Sequence, residues 1–306
     1  MNVAEALARA RALGLPRSDA NVLLSALLDR SRTWLLTHDD APLDAGQQAC
    51  WQDWLTRRVD GVPVAYLTGQ HEFHGLLLHV TPDVLDPRPD TETLVDWALE
   101  VLAGLPPGAA VVDLGTGSGA VALAIRHRQA EAQVSAVDLS PTALAVAQAN
   151  GERLGLPVRW RLGAWFAPVA GERFDLVVSN PPYIAEGDMH LPALRHEPTL
   201  ALTSGADGLD AIRQLITDAP AHLHPGGWLL LEHGHDQGPA VAALLQDAGW
   251  CGIDQRADLA GHWRCTGAHR PSPERIEYPI PAAVPGFAEQ AHPLRHTGPA
   301  HKKLQA

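Results

Sequence analysis

Residues 109–119 read AAVVDLGTGSG, and this stretch decides the fold. Its first half, through Leu114, is a short apolar run of the kind that forms a strand buried on both faces. Its second half, Gly115-Thr116-Gly117-Ser118-Gly119, is a glycine turn that opens at once into a helical pattern over 119–130. Glycines at a strand-to-helix turn permit a tight bend and a close approach of another group to the backbone.

Outward from that turn the alternation repeats. Strands are expected at VSAVDL (134–139), PVRWRL (157–162), FDLVVS (174–179) and GGWLLLEHG (226–234), with two more near 250–256 and 262–266. Helical patterns separate them at 141–154, 207–220 and 237–247, and one at 91–104 precedes the first strand. Seven strands alternating with helices specify an α/β domain built on a mostly parallel sheet, helices on both faces.

The flanks differ. Residues 1–60 read as helices: Ala4, Leu7, Ala8 and Ala12 share helical spacing, and Pro16 breaks the pattern. Ser18 then caps a second helix carrying Val22, Leu23 and Leu24, and Trp51, Trp54 and Leu55 line a later one. Residues 61–90 are turn-rich, and Phe73, Leu76, Leu78 and Val80 predict a hairpin linking the two parts. Residues 268–306 hold seven prolines and no sustained period, so an irregular tail is expected, with Ile276, Tyr278 and Ile280 as a strap over the body. The expected division is therefore a helical domain at 1–60, a linker at 61–90, a catalytic domain at 91–267 and the tail.

Composition narrows the function classes. The chain has 306 residues, 46% of them hydrophobic, which excludes full-length disorder. Cys50, Cys251 and Cys265 are too few for a disulfide scaffold, no apolar run is long enough to span a membrane, and no secretory signal is evident. The cytoplasm is the expected location. Thirty-five acidic residues against 23 basic ones leave a net charge of −12, which argues against direct binding of nucleic acid.

Candidate chemistry gathers at the strand ends. A glycine turn alone leaves nicotinamide and flavin dinucleotides open as ligands, and also a turn that binds nothing. Asp138, ending the second strand, can accept both hydroxyls of a ribose; its plain alternative is a helix cap. Asp113 suits a ligand carrying an amino group and sits badly beside a pyrophosphate, which favours S-adenosylmethionine; its alternative is a cap on the glycine loop. The fourth strand ends in Ser179-Asn180-Pro181-Pro182-Tyr183-Ile184. Two prolines fix the backbone and remove two donors. Asn180 Oδ1 and the Pro181 carbonyl then accept from an NH2 group, and Tyr183 offers an aromatic face. Such a pocket orients a planar amide or an exocyclic amine for attack. The histidine pairs His222/His224 and His233/His235 lack a third ligand at metal-site spacing, so they read as solvated and no metal is expected. Glu232 and His233 are placed near the site's rim, in a structural role.

With these motifs in order, the chain resembles the class I S-adenosylmethionine-dependent methyltransferases, and within them the HemK/PrmC group. The resemblance covers about 1–267 and rests on GVPVAYLTG and HEFHG within 61–75, PRPDTE at 87–92, DLGTGSG, VDLS, NPPYI, HEPTLAL, GADGLD, and LEHG with Gln237. It implies a Rossmann-like class I methyltransferase fold with a small N-terminal helical domain that docks the partner. It implies transfer of methyl to the N5 side-chain amide of glutamine in the GGQ tripeptide of class 1 peptide chain release factors, giving S-adenosylhomocysteine. By position, Gly115, Thr116, Gly117, Ser118 and Gly119 resemble the loop against the methionine part, Asp138 the ribose acid, and Trp165 the residue beside adenine. Asn180, Pro181, Pro182 and Tyr183 resemble the glutamine pocket, and Phe73, Arg88, Thr91, Glu92, Glu197 and Pro198 occupy family-typical places near cofactor and substrate. Three departures stand out: Ala164 replaces an acid common before the tryptophan, His74 replaces an aromatic after Phe73, and the tail exceeds the usual ending. A monomer is expected. The alternative activity is N6 methylation of adenine in DNA or RNA, since an NPPY pocket also suits exocyclic amines.

Overall fold

A computed structural model describes residues 1–272, so most of the expected tail, with Ile276, Tyr278 and Ile280, lies outside the described residues. The N-terminal part is helical: α1 (Val3–Ala12), α2 (Arg17–Leu28), α3 (Arg32–Thr37), α4 (Ala45–Val59) and α5 (Val64–Thr68). Two reciprocal capping boxes set helix starts, Asn2 with Glu5 at α1 and Asp44 with Gln47 at α4. Trp51 and Leu55 of α4 are fully buried against Leu23 and Leu24 of α2, as their spacing predicts.

Three local expectations are corrected here. Ser18 does not cap α2: the helix begins at Arg17, straight after Pro16, and the Ser18 hydroxyl donates to Asp19 instead. The buried stripe of α1 is Val3, Ala6 and Ala10, while Ala4, Ala8 and Ala12 face solvent. The two stripes adjoin on the helix surface, and Leu7 of the expected one is half-buried against the same core. Val22 of α2 is exposed, and Asn21 takes the buried place beside it.

The linker contains α5 and then the predicted hairpin, β1 (Gln70–Phe73) and β2 (Leu76–His79), paired antiparallel from Phe73↔Leu76 outward. Its two-residue turn, His74-Gly75, has φ of 50° and 82°, the pattern of a type I′ turn. After a 3-10 turn at Pro89–Thr91 come α6 (Glu92–Ala103), β3 (Ala110–Leu114), α7 (Ala120–Arg128), β4 (Gln133–Asp138), α8 (Pro141–Leu154), β5 (Arg159–Leu162) and β6 (Phe174–Ser179). Then follow α9 (Asp210–His222), β7 (Leu223–Glu232), α10 (Gly238–Asp247), β8 (Cys251–Ala257) and β9 (Trp263–His269).

The seven strands lie in the order β5-β4-β3-β6-β7-β9-β8. Pairing is parallel from β5 to β7, and β9 runs antiparallel to both β7 and β8. The chain leaves β3 in one direction for β4 and β5, then returns to β3's other side for β6 and β7. That reversal opens a crevice at the carboxyl ends of β3 and β6, where ligands bind in open α/β sheets. One apolar cluster joins the helical part, the hairpin and one face of the sheet, so all three share a core.

Asn150 fixes the hairpin to that sheet. Its side chain is completely buried in α8. Oδ1 accepts from the His79 N–H (2.7 Å), and Nδ2 donates to the carbonyls of His79 and Ser118 (2.9 Å each). One amide thus ties the linker to the glycine loop. Asn150→Ala leaves three backbone groups without that partner, the Ser118 carbonyl among them buried, and should cost about 2 kcal/mol in urea denaturation. Asn150→Asp, which sets a carboxylate oxygen against two carbonyls, should be no better.

Candidate active site

The crevice is a cavity of about 560 Å³. Its floor follows from one pair in the parallel register, Leu114↔Ser179. The buried Ser179 hydroxyl donates to the Leu114 carbonyl at 2.6 Å, so the residues that follow, Gly115 and Asn180, leave the sheet side by side.

The glycine turn adopts φ of 75°, 56° and 83° at Gly115, Gly117 and Gly119, conformations that favour glycine. Gly115 and Thr116 N–H groups donate to the Val137 carbonyl. Gly119 contributes packing rather than lining: a Cβ there meets Leu123, Ala147 and Trp160 at 3.0–3.3 Å. Gly115, Thr116, Gly117 and Ser118 line the cavity.

Asp138 lines it too. Its Oδ2 accepts from Gly117 N–H and its Oδ1 from Ser140 N–H, each at 2.8 Å. The cap of α8 is Ser140, whose hydroxyl accepts from Ala143 N–H, so Asp138 is not needed for that duty. Each carboxylate oxygen keeps a lone pair for a further donor. Burial raises the Asp138 pKa, opposed by those backbone bonds. Asp113 is almost wholly buried, and its Oδ2 accepts from Thr116 Oγ1 (2.6 Å) and Ala122 N–H (3.2 Å). It therefore braces the glycine loop while also lining the cavity.

Trp165 closes the far side, with Gly163 and Ala164. Its φ of 44° is strained for a bulky residue, and its ring lies over Gly115, within 3.6 Å of where a Cβ would stand.

Asn180 and Pro182 line the cavity, and Pro181 between them is buried. Asn180 Nδ2 donates to the Thr91 hydroxyl at 3.1 Å, so that end of the amide is occupied within the protein. Tyr183 turns away from the cavity, and its phenol donates to Glu232 Oε1 at 3.3 Å. Its carbonyl accepts from Gln237 Nε2 at 3.0 Å. Gly208 passes so close that a Cβ would stand 2.2 Å from that carbonyl, which explains a glycine at φ 78° within GADGLD.

The remaining expected residues divide. Arg88, Thr91 and Pro198 line the cavity. Glu197 stands behind Arg88, with Oε1 2.5 Å from Arg88 Nη2 and Oε2 accepting from Asp86 N–H. Glu92 accepts from the His74 N–H, and the His74 ring bonds Asp96 at 3.0 Å. Phe73 is in the core, 1% exposed, and does not reach the cavity. Two histidine assignments are corrected: His233 is fully buried between Thr266 and the Gly234 carbonyl, and the half-buried His222 stacks on Phe166. Strand β7 is covered at its end by β9 and the NPPY segment, so Glu232 is also fully buried rather than at a rim. Sequence reasoning overlooked Ser179 and Asn150. Both are polar residues within largely apolar segments, Ser179 closing FDLVVS and Asn150 inside the 141–154 helix, and that was the available signal. Among the described residues, no cluster of three His, Cys, Asp or Glu side chains has the form of a metal site, and no helix is long and apolar enough to cross a membrane.

Arg88 is the single basic side chain lining the cavity among the described residues, and it is committed to Glu197. Asp83, Asp113, Asp138 and Asp210 line the same space. That donor set suits a ligand with positive charge and a ribose, and it opposes a pyrophosphate.

Sheet order, glycine turn and strand-end acid together define a class I methyltransferase. Residues 2–69 match the family model described as PrmC N-terminal domain, and residues 92–196 match the methyltransferase small domain. A release factor glutamine methyltransferase of Bordetella pertussis is 48% identical over 259 residues, covering 84% of this chain and 96% of that protein. One of Xylella fastidiosa is 49% identical over 255 residues, covering 82% of this chain and 92% of its own. The chain belongs to the release factor glutamine methyltransferase family. A 16S rRNA methyltransferase of T. thermophilus, solved with AdoMet and guanosine, shares the fold at a TM-score of 0.51 and 21% identity, over 66% of this chain and 49% of that one.

Burial pushes the Asp113 carboxyl up to about 7, against the bonds from Thr116 and Ala122. An unfolded aspartate titrates near ~4. The folded protein thus binds the extra proton between those values, and stability falls as pH rises through that window. Asp113→Asn carries no such penalty. Thermal denaturation without methyl donor should show the variant gaining on wild type from pH 5 to 7 and levelling off above. A difference that does not vary with pH contradicts the assignment.

Proposed function

We propose that this protein transfers a methyl group from S-adenosylmethionine to the N5 side-chain amide of the GGQ glutamine in class 1 peptide chain release factors. The observation that carries the reading is the state of Asn180. Its amide lines the crevice together with the glycine loop, with Nδ2 held by Thr91 and Oδ1 left as the acceptor.

S-adenosylmethionine supplies an electrophilic methyl on a sulfonium and departs as the neutral thioether, S-adenosylhomocysteine. The protein's part is placement. Asp138 receives the ribose hydroxyls, the loop from Gly115 to Ser118 faces the methionine portion, and Asp113 with the other cavity acids favours its positive charges. Trp165 and the adjoining Gly163-Ala164 backbone form the wall for adenine. Asn180 Oδ1 and the Pro181 carbonyl accept the two N–H bonds of the glutamine amide and aim its nitrogen at the methyl carbon. The nitrogen forms the C–N bond, the C–S pair returns to sulfur, and the surplus amide proton passes to water. Alignment and exclusion of solvent account for the rate, with no general base required.

Residues 1–60 act as the docking domain, 61–90 as the linker and 91–267 as the catalytic domain in this reading. The net charge of −12 suits a basic protein partner. It disfavours the adenine-methylating alternative, which needs a basic track for its nucleic acid.

Labelled methyl should enter purified release factor and not adenine-containing DNA or RNA; label found only in nucleic acid overturns the proposal. Asn180→Ala should reduce turnover at least about 100-fold while calorimetry shows donor affinity within about threefold of wild type. Lost donor binding with normal residual turnover would contradict the role given to Asn180.

A further inference from the structure

Gln237 stands where α10 begins, yet its side chain makes no hydrogen bond to that helix's free N–H groups. It turns back toward the motifs before it. Its Oε1 accepts from Gly234 N–H at 2.8 Å, across the turn that leaves β7. That bond identifies the oxygen of the amide, since only the oxygen can accept. Nε2 therefore faces two carbonyls, Tyr183 at 3.0 Å and Asp207 at 3.3 Å, and has one proton for each. One half-buried side chain thus joins three segments: the NPPY turn after β6, the GADGLD loop before α9, and the turn after β7.

The first two of these segments wall the cavity. Pro181 and Pro182 have no N–H with which to brace the NPPY turn. Its start is held by the Ser179 hydroxyl on the Leu114 carbonyl and by Asn180 Nδ2 on Thr91. Its exit is held at the Tyr183 carbonyl by Gln237, with Gly208 packed against the same oxygen. The chain then joins the second wall: Ile184 N–H donates to the Leu202 carbonyl (2.9 Å) and Ser204 N–H to the Ile184 carbonyl (3.0 Å). Asp207 is fixed in turn, its Oδ1 accepting from Leu209 N–H (3.1 Å) and Arg213 Nη1 (2.9 Å). Thr203, Ser204, Asp210 and Ala211 of this second segment line the cavity.

We propose that Gln237 is a positioning residue for methyl transfer: by holding the Tyr183 and Asp207 carbonyls together, it sets the aim of the Pro181 carbonyl at the acceptor amide and keeps the two acceptor-side walls in register. The inference rests on the reading that Asn180 and the Pro181 carbonyl hold the methyl acceptor. Prolines keep φ near −65°, so a shift of the Tyr183 carbonyl passes with little slack to the Pro181 carbonyl two residues earlier. The residues assigned to the methyl donor, Asp113 to Ser118, Asp138 and Trp165, lie on other segments, and the hydrogen bonds of Gln237 do not reach them. Loss of Gln237 should therefore separate alignment of the acceptor from binding of the donor.

The amide is the one side-chain group of this length that meets all three demands, one acceptor and two donors. Glutamate in its place keeps the acceptor for Gly234 and sets a carboxylate oxygen against two carbonyls. A glutamine that served only the turn after β7 would tolerate that exchange. One that serves the NPPY turn would not.

The test compares kcat of full-length variants, with saturating S-adenosylmethionine and purified release factor, against donor affinity by calorimetry. Gln237→Glu and Gln237→Met should each lower kcat about ten- to a hundredfold, with donor Kd within about twofold of wild type. Pro239→Ala, which alters the exposed start of α10 without touching the three bonds, should keep kcat within about twofold. Wild-type kcat in Gln237→Glu overturns the proposal, as does a loss in Pro239→Ala equal to that in Gln237→Met. A fall in donor affinity as large as the fall in kcat also overturns it. Should a Gln237 variant lack a cooperative thermal transition, Gly208→Ala decides, since its Cβ would crowd the same Tyr183 carbonyl from 2.2 Å. Wild-type kcat there overturns the proposal, and lowered kcat with donor Kd unchanged supports it. Wild-type protein that binds the methyl donor but leaves release factor unmethylated overturns the functional reading itself, a result separate from any variant comparison.

Discussion

The site depends on the parallel pairing of Leu114 with Ser179. Each residue is the last of its strand, and the Ser179 hydroxyl closes the pair by donating to the Leu114 carbonyl. From that point one chain enters the glycine turn and the other enters Asn180-Pro181-Pro182-Tyr183. A one-residue slip would turn the side chains of β6 to the opposite face and separate the two halves. Valines on both strands, buried on both faces, make such a slip costly. Close packing of the strands thus sets the distance between a bound methyl donor and its acceptor.

Around this fixed point the protein spends polar groups on holding other polar groups. Asp138 anchors Gly117 and Ser140, Asp113 anchors Thr116 and Ala122, and Gln237 anchors Tyr183. Glu197 occupies Arg88, the one cation lining the cavity among the described residues. What remains there is acidic, a setting for a cationic cofactor. The hairpin and α8 reach the same loop from outside through Asn150. Rigidity of the glycine turn is thereby shared between sheet, helix and linker.

Much of this was legible in the sequence. Strand runs and glycine punctuation located all seven strands, because buried parallel strands and the turns between them leave strong local patterns. Asp138 and Asn180 were legible because strand ends at a sheet's switch point have few structural reasons to be polar. Long-range pairing was less accessible. Ser179 and Asn150 each bond a backbone group more than sixty residues away, and no local period marks them. Tyr183 and Phe73 were expected at the substrate, but their rings turn inward. An aromatic residue signals burial and recognition equally well, and only the fold separates the two. The stripe chosen for α1 missed for a related reason, since an alanine-rich helix offers more than one apolar face.

The central claim is that the Asn180 pocket delivers a methyl group to one glutamine amide. Tandem mass spectrometry of release factor, after incubation with this protein and S-adenosylmethionine, tests it most directly. The account predicts a single added methyl, located by fragment ions on the side chain of the GGQ glutamine. A methyl on any other residue, or an unmodified peptide from a protein shown to bind the donor, would contradict it.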